Sequence, residues 1–182
     1  MANDVLRHAY VDRRYADISS MKLQKILYYF YKEYLKRTGK PLFAERFLRG
    51  QTGPILQEVA FAFGNSSDEA IGKRYMMDPN GKMRSVGEPE GTDYRDAFNA
   101  VWEQLKDYSG EQLSECTHKP GGAWVSYQAD SFIADEEIMN EPDPPWPERV
   151  IRETLDKPNL RVQFVGKLAQ ILGVDGYASE KK

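Results

Sequence analysis

Residues 21–34 read Met21-Lys22-Leu23-Gln24-Lys25-Ile26-Leu27-Tyr28-Tyr29-Phe30-Tyr31-Lys32-Glu33-Tyr34, which is too rich in apolar and aromatic residues for one narrow helical stripe. Ser19 or Ser20 is suited to cap the start of a helix here, and Gly39 is suited to the left-handed conformation that ends one. We therefore predict a central helix between these limits.

This helix carries two apolar strips at the spacing that brings side chains of neighbouring turns together. The first strip is expected to face the core: Leu23, Ile26, Leu27, Phe30 and Tyr34. The second strip contains Tyr28, Tyr31 and Leu35. For Tyr28 and Tyr31 the sequence leaves two alternatives equally open: they are covered by other parts of the same chain, or they contact a partner.

Length and charge limit the kind of protein. The 182 residues suffice for one full-sized domain, or a domain plus a tail, without metals or disulfides. The single cysteine, Cys116, excludes an internal disulfide, and no apolar run reaches membrane-spanning length, so we expect a cytoplasmic protein with no membrane partner. The 25 basic and 28 acidic residues give a net charge of −3, so we do not expect nucleic acid as a partner.

Helices are predicted on both sides of the central one. Asn3 or Asp4 is suited to cap a first helix. Pro54, directly after Gly53, is expected at the first position of a third helix, where its missing N–H group is not needed. Gly64 is expected to end this third helix.

The pattern changes after the third helix. Two short runs between Arg74 and Val86 flank Asp78-Pro79-Asn80-Gly81, whose turn chemistry predicts a small hairpin. Thr92 is suited to cap a clear amphipathic helix, and Ser109-Gly110-Glu111-Gln112 has the form of a capping box that starts a shorter one. A further helix is expected from Asp135.

Prolines between Glu141 and Pro147 forbid regular helix and predict a stiff, extended connection. We place a boundary there, which gives a helical domain at 1–140 and a proline-rich linker with a C-terminal helical extension at 141–182. The predicted fold class is mainly α (α+β), a helical domain with a small β-hairpin. Trp146 is suited to anchor in a partner's pocket or a dimer groove, and Arg49 and Gln51 are further candidate partner contacts.

No residue set in the sequence points to catalysis. Cys116 and His118 come closest to a nucleophile and its base, but side chains two apart on a helix point to different faces. Cys116 is better explained as a small buried hydrophobe, and His118 as a buried hydrogen-bonding group near Trp124. One cysteine with two histidines falls short of a recognisable metal-ligand set. We therefore predict that the protein is not an enzyme and has no catalytic residues, metal or cofactor.

Several motifs together resemble those of one family. They are Met21-Lys22-Leu23-Gln24-Lys25-Ile26-Leu27-Tyr28-Tyr29, Lys40-Pro41-Leu42-Phe43, Gly53-Pro54-Ile55, and Leu113-Ser114-Glu115-Cys116-Thr117-His118 followed by Trp124. In order and spacing they resemble the Panacea domain, also called SocA-like, over roughly residues 4 to 140. The chain departs from the family pattern at Ile55, where valine is usual, and before Trp124, where proline is common.

The resemblance implies an antitoxin that neutralises its cognate toxin by direct binding. Such proteins are cytoplasmic and are often encoded beside a toxin in bacteria or their phages, and the toxins often inhibit translation. One alternative is a protease adaptor that delivers the toxin for degradation, and a DNA-binding autorepressor is another. A homodimer is a further alternative for the assembly.

The resemblance also assigns a structural role to motif positions. These are Leu23, Lys25, Leu27, Tyr28, Gly53, Pro54, Thr117, His118 and Trp124. The candidate partner contacts are Tyr28, Tyr31, Arg49, Gln51 and Trp146, so Tyr28 belongs to both sets.

Overall fold

Helices make up most of the computed structural model, which describes residues 1–11, 18–63, 76–77, 83–84 and 91–148. The helices within these ranges are α1 (Ala2–Val11), α2 (Ser20–Thr38), α3 (Gln57–Phe63), α4 (Thr92–Leu105), α5 (Gly110–Thr117) and α6 (Asp135–Asn140), with a 3-10 turn at Ala123–Ser126. The strands are β1 (Leu48–Gly50), β2 (Gly53–Ile55), β3 (Met76–Met77) and β4 (Met83–Arg84). The predicted class, mainly α with a small antiparallel sheet, is confirmed.

α2 lies at the centre and packs against α1, α3, α4, α5, α6 and β2. Its predicted ends are confirmed. The Ser19 hydroxyl accepts a hydrogen bond from the Lys22 N–H at 3.2 Å, and Gly39 ends the helix at φ +65° with its N–H donated to the Leu35 carbonyl.

Both apolar strips of α2 are buried. Tyr28 and Tyr31 are 0% and 1% exposed, whereas Tyr34, which was expected to face the core, is only half-buried. The ring of Phe47, just before β1, packs 5.2 Å from that of Tyr28 and 5.4 Å from that of Tyr31. The second strip is therefore covered by the chain itself, and Tyr34 packs against the core with part of its surface exposed.

The prediction that Gly53 and Pro54 start the third helix is wrong. Both belong to β2, which pairs antiparallel with β1 so that Arg49 faces Pro54, and α3 begins only at Gln57. Gly53 has φ +116°, which is incompatible with helix, and the Pro54 carbonyl accepts a hydrogen bond from Lys25 Nζ at 3.3 Å. These tertiary contacts override the local preference of proline for a helix start.

Other local predictions have mixed outcomes. The capping box is confirmed, because the Ser109 hydroxyl accepts from the Gln112 N–H and the Gln112 side chain accepts from the Ser109 N–H. Thr92 lies inside α4, whose cap residue is Gly91, and Asp4 lies inside the first turn of α1 rather than at its cap. Asp4 instead accepts a hydrogen bond from the Tyr94 hydroxyl at 2.6 Å.

The predicted hairpin is confirmed in its two strands, where β3 pairs antiparallel with β4. Its turn at 78–81, the end of the third helix at Gly64 and the helices expected beyond residue 148 lie outside the described residues.

Gly53 is expected to resist substitution more strongly than Gly39, although both have positive φ. A Cβ at Gly53 would lie 2.6 Å from Thr117 Oγ1 and would also collide with Lys25, whereas a Cβ at Gly39 would meet nothing within 4 Å. We expect Gly53→Ala to lower the free energy of unfolding by about 3 kcal/mol and Gly39→Ala by about 1 kcal/mol. Urea unfolding of both variants would measure the difference. Equal losses would mean that backbone strain alone, and not the close approach, matters at Gly53.

Candidate functional site

Buried polar side chains of α2 bind the backbone of segments that lack regular partners. Gln24 accepts from the Leu56 N–H at 2.9 Å and donates to the Leu56 carbonyl at 3.0 Å, so that it pairs with this residue as a strand would. Lys22 Nζ donates to the carbonyl of Lys106, directly after α4, at 2.7 Å. α2 thus fixes the position of the residue before α3 and of the residue after α4.

Lys25 is the most deeply buried of these groups. It is 0% exposed, and its Nζ donates to the Pro54 carbonyl. Burial lowers the pKa of Lys25 to about 7, because the charged form loses its hydration. The family-motif residues Lys25, Gly53 and Thr117 meet here, so this part of the motif is a packing arrangement around the β2 backbone.

Glu141 ties the segment after α6 to α2. Its Oε2 atom accepts hydrogen bonds from the Tyr28 hydroxyl at 2.8 Å and from the Ala123 N–H at 2.7 Å, while Lys32 Nζ lies 3.4 Å from Oε1. Burial and the nearby Glu141 charge raise the pKa of Tyr28. Tyr28 is therefore occupied by an internal contact.

The chain continues along α2 after Glu141. Lys32 Nζ also donates to the Pro142 carbonyl at 3.2 Å and to Asp143 Oδ1 at 3.0 Å. Hydrogen bonds from Lys32 and Lys36 hold the pKa of Asp143 below its ordinary value.

Trp146, a candidate partner anchor, is half-buried against the same core. Its ring packs edge-on to Tyr29 at 5.0 Å and stacks on Tyr108 at 6.1 Å. The Tyr108 hydroxyl donates to the Pro147 carbonyl at 2.9 Å. These contacts hold the end of the proline-rich segment against the core, and the division of the chain at residue 140 stays a prediction.

Trp124 organises the surface beside the β1–β2 turn. Its indole N–H donates to the Gly50 carbonyl at 2.8 Å. The His118 ring stacks on the indole at 4.0 Å, and the Arg49 guanidinium carbon lies 4.1 Å from the ring centroid, a cation–π arrangement. His118 lies near Trp124, as predicted. It is exposed, however, so the prediction that it is a buried hydrogen-bonding group is wrong.

A second exposed group lies beside β1, and because Phe132 pairs with Leu48 it is on the other side of this sheet from Arg49. Residues 131–133 extend the sheet, since the Arg49 N–H donates to the Ser131 carbonyl and the Ile133 N–H donates to the Phe47 carbonyl, both at 2.8 Å. Phe132 is 49% exposed and lies under the Arg46 guanidinium at 5.2 Å, and Val125 is 44% exposed. We call these two groups around the β1–β2 hairpin, taken together, the hairpin face: Arg46, Arg49, Gln51, His118, Trp124, Val125 and Phe132.

The structure separates the candidate partner contacts into two groups. Arg49 and Gln51 lie on the hairpin face, whereas Tyr28 and Tyr31 lie in the core and Trp146 packs against it. Sequence reasoning missed Phe132 and Arg46, because their exposure follows from how residues 131–133 pair with β1, which no local pattern signals. It also missed Glu141, whose hydrogen bond with Tyr28 joins residues more than a hundred positions apart.

Cys116 and His118 form no reactive pair. Burial raises the pKa of the Cys116 thiol, which is the opposite of what activates a nucleophilic cysteine, and the His118 ring lies on Trp124. Within the described ranges no group of three or more metal-ligating side chains comes together. In that same part of the chain, no helix combines the length and the apolar character needed to cross a membrane.

The fold is that of a mainly helical domain built around one buried helix. A family model, described as Antitoxin SocA-like, Panacea domain, matches residues 23–125, more than half of the chain. The chain therefore belongs to the SocA-like Panacea-domain family, and the matched range contains most of α2, the β1–β2 hairpin, α5 and Trp124. Comparison with curated proteins and with solved structures gives no match.

Lys25 is expected to make stability depend on pH. The unfolded chain has the ordinary lysine pKa of 10.5, so between about pH 7 and pH 10.5 it binds more protons than the folded protein. The free energy of unfolding should therefore rise with pH in this window, by at most about 1.4 kcal/mol per unit from this group.

Chemical unfolding of the wild type and of Lys25→Met between about pH 7 and pH 9 tests this expectation. The variant has no amine to titrate, so the stability of the wild type relative to the variant should grow with pH. Other titrating groups are common to both proteins and cancel in the difference. An identical pH dependence would contradict a neutral buried Lys25.

A chain that ends at Asn140 is expected to be much less stable than one that ends at Glu148. The shorter chain loses Glu141 and Asp143 and leaves Lys32 buried without its acidic partners, which costs on the order of 3 kcal/mol or more. Thermal unfolding of both chains beside the full-length protein measures the loss. Equal stability of the two chains would support the boundary at residue 140.

Proposed function

We propose that this protein neutralises a cognate toxin by binding it directly, without catalysis. Membership of an antitoxin family supports the general role. The observation that carries the binding mechanism is the hairpin face, which combines two arginines with two partly exposed apolar side chains, Phe132 beside β1 and Val125 in the 3-10 turn.

The chemistry of the hairpin face suits a protein partner. Interfaces are enriched in arginine and aromatic residues, and their energy concentrates in a few such anchors. Trp124 holds the Arg49 guanidinium in place, so little side-chain freedom remains to be lost when a partner binds. Neither Arg46 nor Arg49 forms an ion pair with another described residue, so both charges are available to acidic groups of a toxin.

Co-expression with the product of the neighbouring gene tests the proposal. We expect that product to inhibit growth alone and this protein to restore growth while the toxin remains present at an unchanged level. Restored growth with falling toxin levels, lost in a protease-deficient host, would indicate a protease adaptor instead. Growth inhibition that this protein does not relieve would refute the antitoxin role for this pair.

Charge placed on the hairpin face should weaken toxin binding. We expect Phe132→Asp, alone or with Val125→Asp, to raise the dissociation constant at least about tenfold, because an apolar contact is replaced by a charge. Ala100→Asp, at an exposed position of α4, is the matched control and should bind as the wild type does. Titration calorimetry gives the dissociation constants, and melting temperatures confirm that the variants fold. Unchanged binding of the Phe132 variant would place the interface elsewhere.

A further inference from the structure

An apolar groove lies between the N-terminus of α1, the segment before β1, and α3. Its volume is about 290 Å³, and its apolar lining includes Phe43, Leu56, Val59 and Phe63. That volume is near the lower end for ligand pockets and corresponds to roughly ten water molecules, so it suits one or two large side chains.

α3 is the element that leaves this groove open. None of its residues is fully buried, and the described structure shows Phe61 on it with 94% of its surface in water. α3 is thus a helix whose apolar side chains, Val59 and Phe63 among them, are only half-covered by the chain.

The charged and polar groups around the groove are acceptors. Glu45 and Glu58 line it, and within the described residues neither has an ion-pair partner. The side-chain oxygen of Asn3, which also lines the groove, is buried without a hydrogen-bond partner in that part of the chain. The amine of Met1 is paired with Asp4 at 3.0 Å, and among the described residues no lysine or arginine lines the groove.

These hydrogen-bond and charge acceptors indicate which kind of segment the groove can bind. A second copy of this chain would bring the same acidic α3 to the groove and place like charges together. A segment in which a large apolar side chain stands beside lysine or arginine would fill the volume, pair with Glu45 and Glu58 and offer a donor to Asn3.

The groove also adjoins the hairpin face. Glu45 lines the groove, and the next residue, Arg46, lies over Phe132. A standard interface covers about 800 Å² of each partner, so one protein can occupy both surfaces.

We propose that this groove receives an apolar side chain of the toxin that is flanked by lysine or arginine. The inference rests on the proposed function, since it names where and by what chemistry the same partner binds. The groove supplies an apolar anchor point, and the hairpin face supplies contacts to acidic groups beside it.

Two substitutions on α3 test the groove. Ala62→Trp places a large ring where the anchor would enter, and Glu58→Lys reverses a lining charge; both residues are exposed. Gln57, also exposed on α3 but outside the groove, gives the matched controls Gln57→Trp and Gln57→Lys. Titration of each variant with the product of the neighbouring gene is compared with the wild type.

We expect Ala62→Trp to weaken binding at least about tenfold and Glu58→Lys several-fold, while both Gln57 variants bind as the wild type does. If Ala62→Trp lowers the melting temperature, Glu58→Lys with Gln57→Lys carries the test. If both groove variants bind the toxin with wild-type affinity, the proposal that the groove receives a toxin side chain is refuted, but direct binding of the toxin is not. A wild type that does not bind refutes the proposed function. Self-association that Ala62→Trp abolishes would assign the groove to a second copy and overturn the proposal.

Discussion

The fold depends on the polar side chains that α2 buries together with its aromatic ones. A buried N–H or carbonyl group without a partner is costly, and the segments around Leu56, Lys106 and Pro142 do not form regular helix or sheet pairs for all of theirs. Gln24, Lys22 and Lys32 supply the missing partners. These bonds point in different directions around the helix. They therefore fix both its position and its rotation about its own axis, whereas apolar packing alone would define that rotation less precisely.

In the proposed mechanism, the partner is bound by the elements that pack around α2, and not by α2 itself. The helix itself is covered, and its tyrosines are occupied by Phe47 and Glu141. Lys25 and Trp124 hold the β1–β2 hairpin through the carbonyls of Pro54 and Gly50, and backbone hydrogen bonds from this segment hold residues 131–133. A surface supported in this way keeps its shape before a partner arrives, which lowers the entropy lost on binding.

Several helix ends could be predicted from neighbouring residues alone, although the caps expected at Thr92 and Asp4 could not. The caps at Ser19 and Gly39 and the capping box at Ser109 are set by residues within one turn, and the sequence was sufficient for them. Pro54 was misplaced because its carbonyl partner, Lys25, lies far away along the chain. The candidate site was less predictable for the same reason. Arg49 and Gln51 stay predicted partner contacts, whereas the exposure of Phe132 follows from a strand pairing that no short pattern encodes.

Charge is divided over the surface in a way that the net value of −3 conceals. Arg46 and Arg49 mark the hairpin face, whereas Glu45 and Glu58 mark the groove beside it, and the two regions meet between consecutive residues. A partner that complements one region with a uniform charge would place like charges against the other. Only a partner with acidic and basic groups in the matching order satisfies both, so the division favours selectivity among partners more than affinity for any one of them.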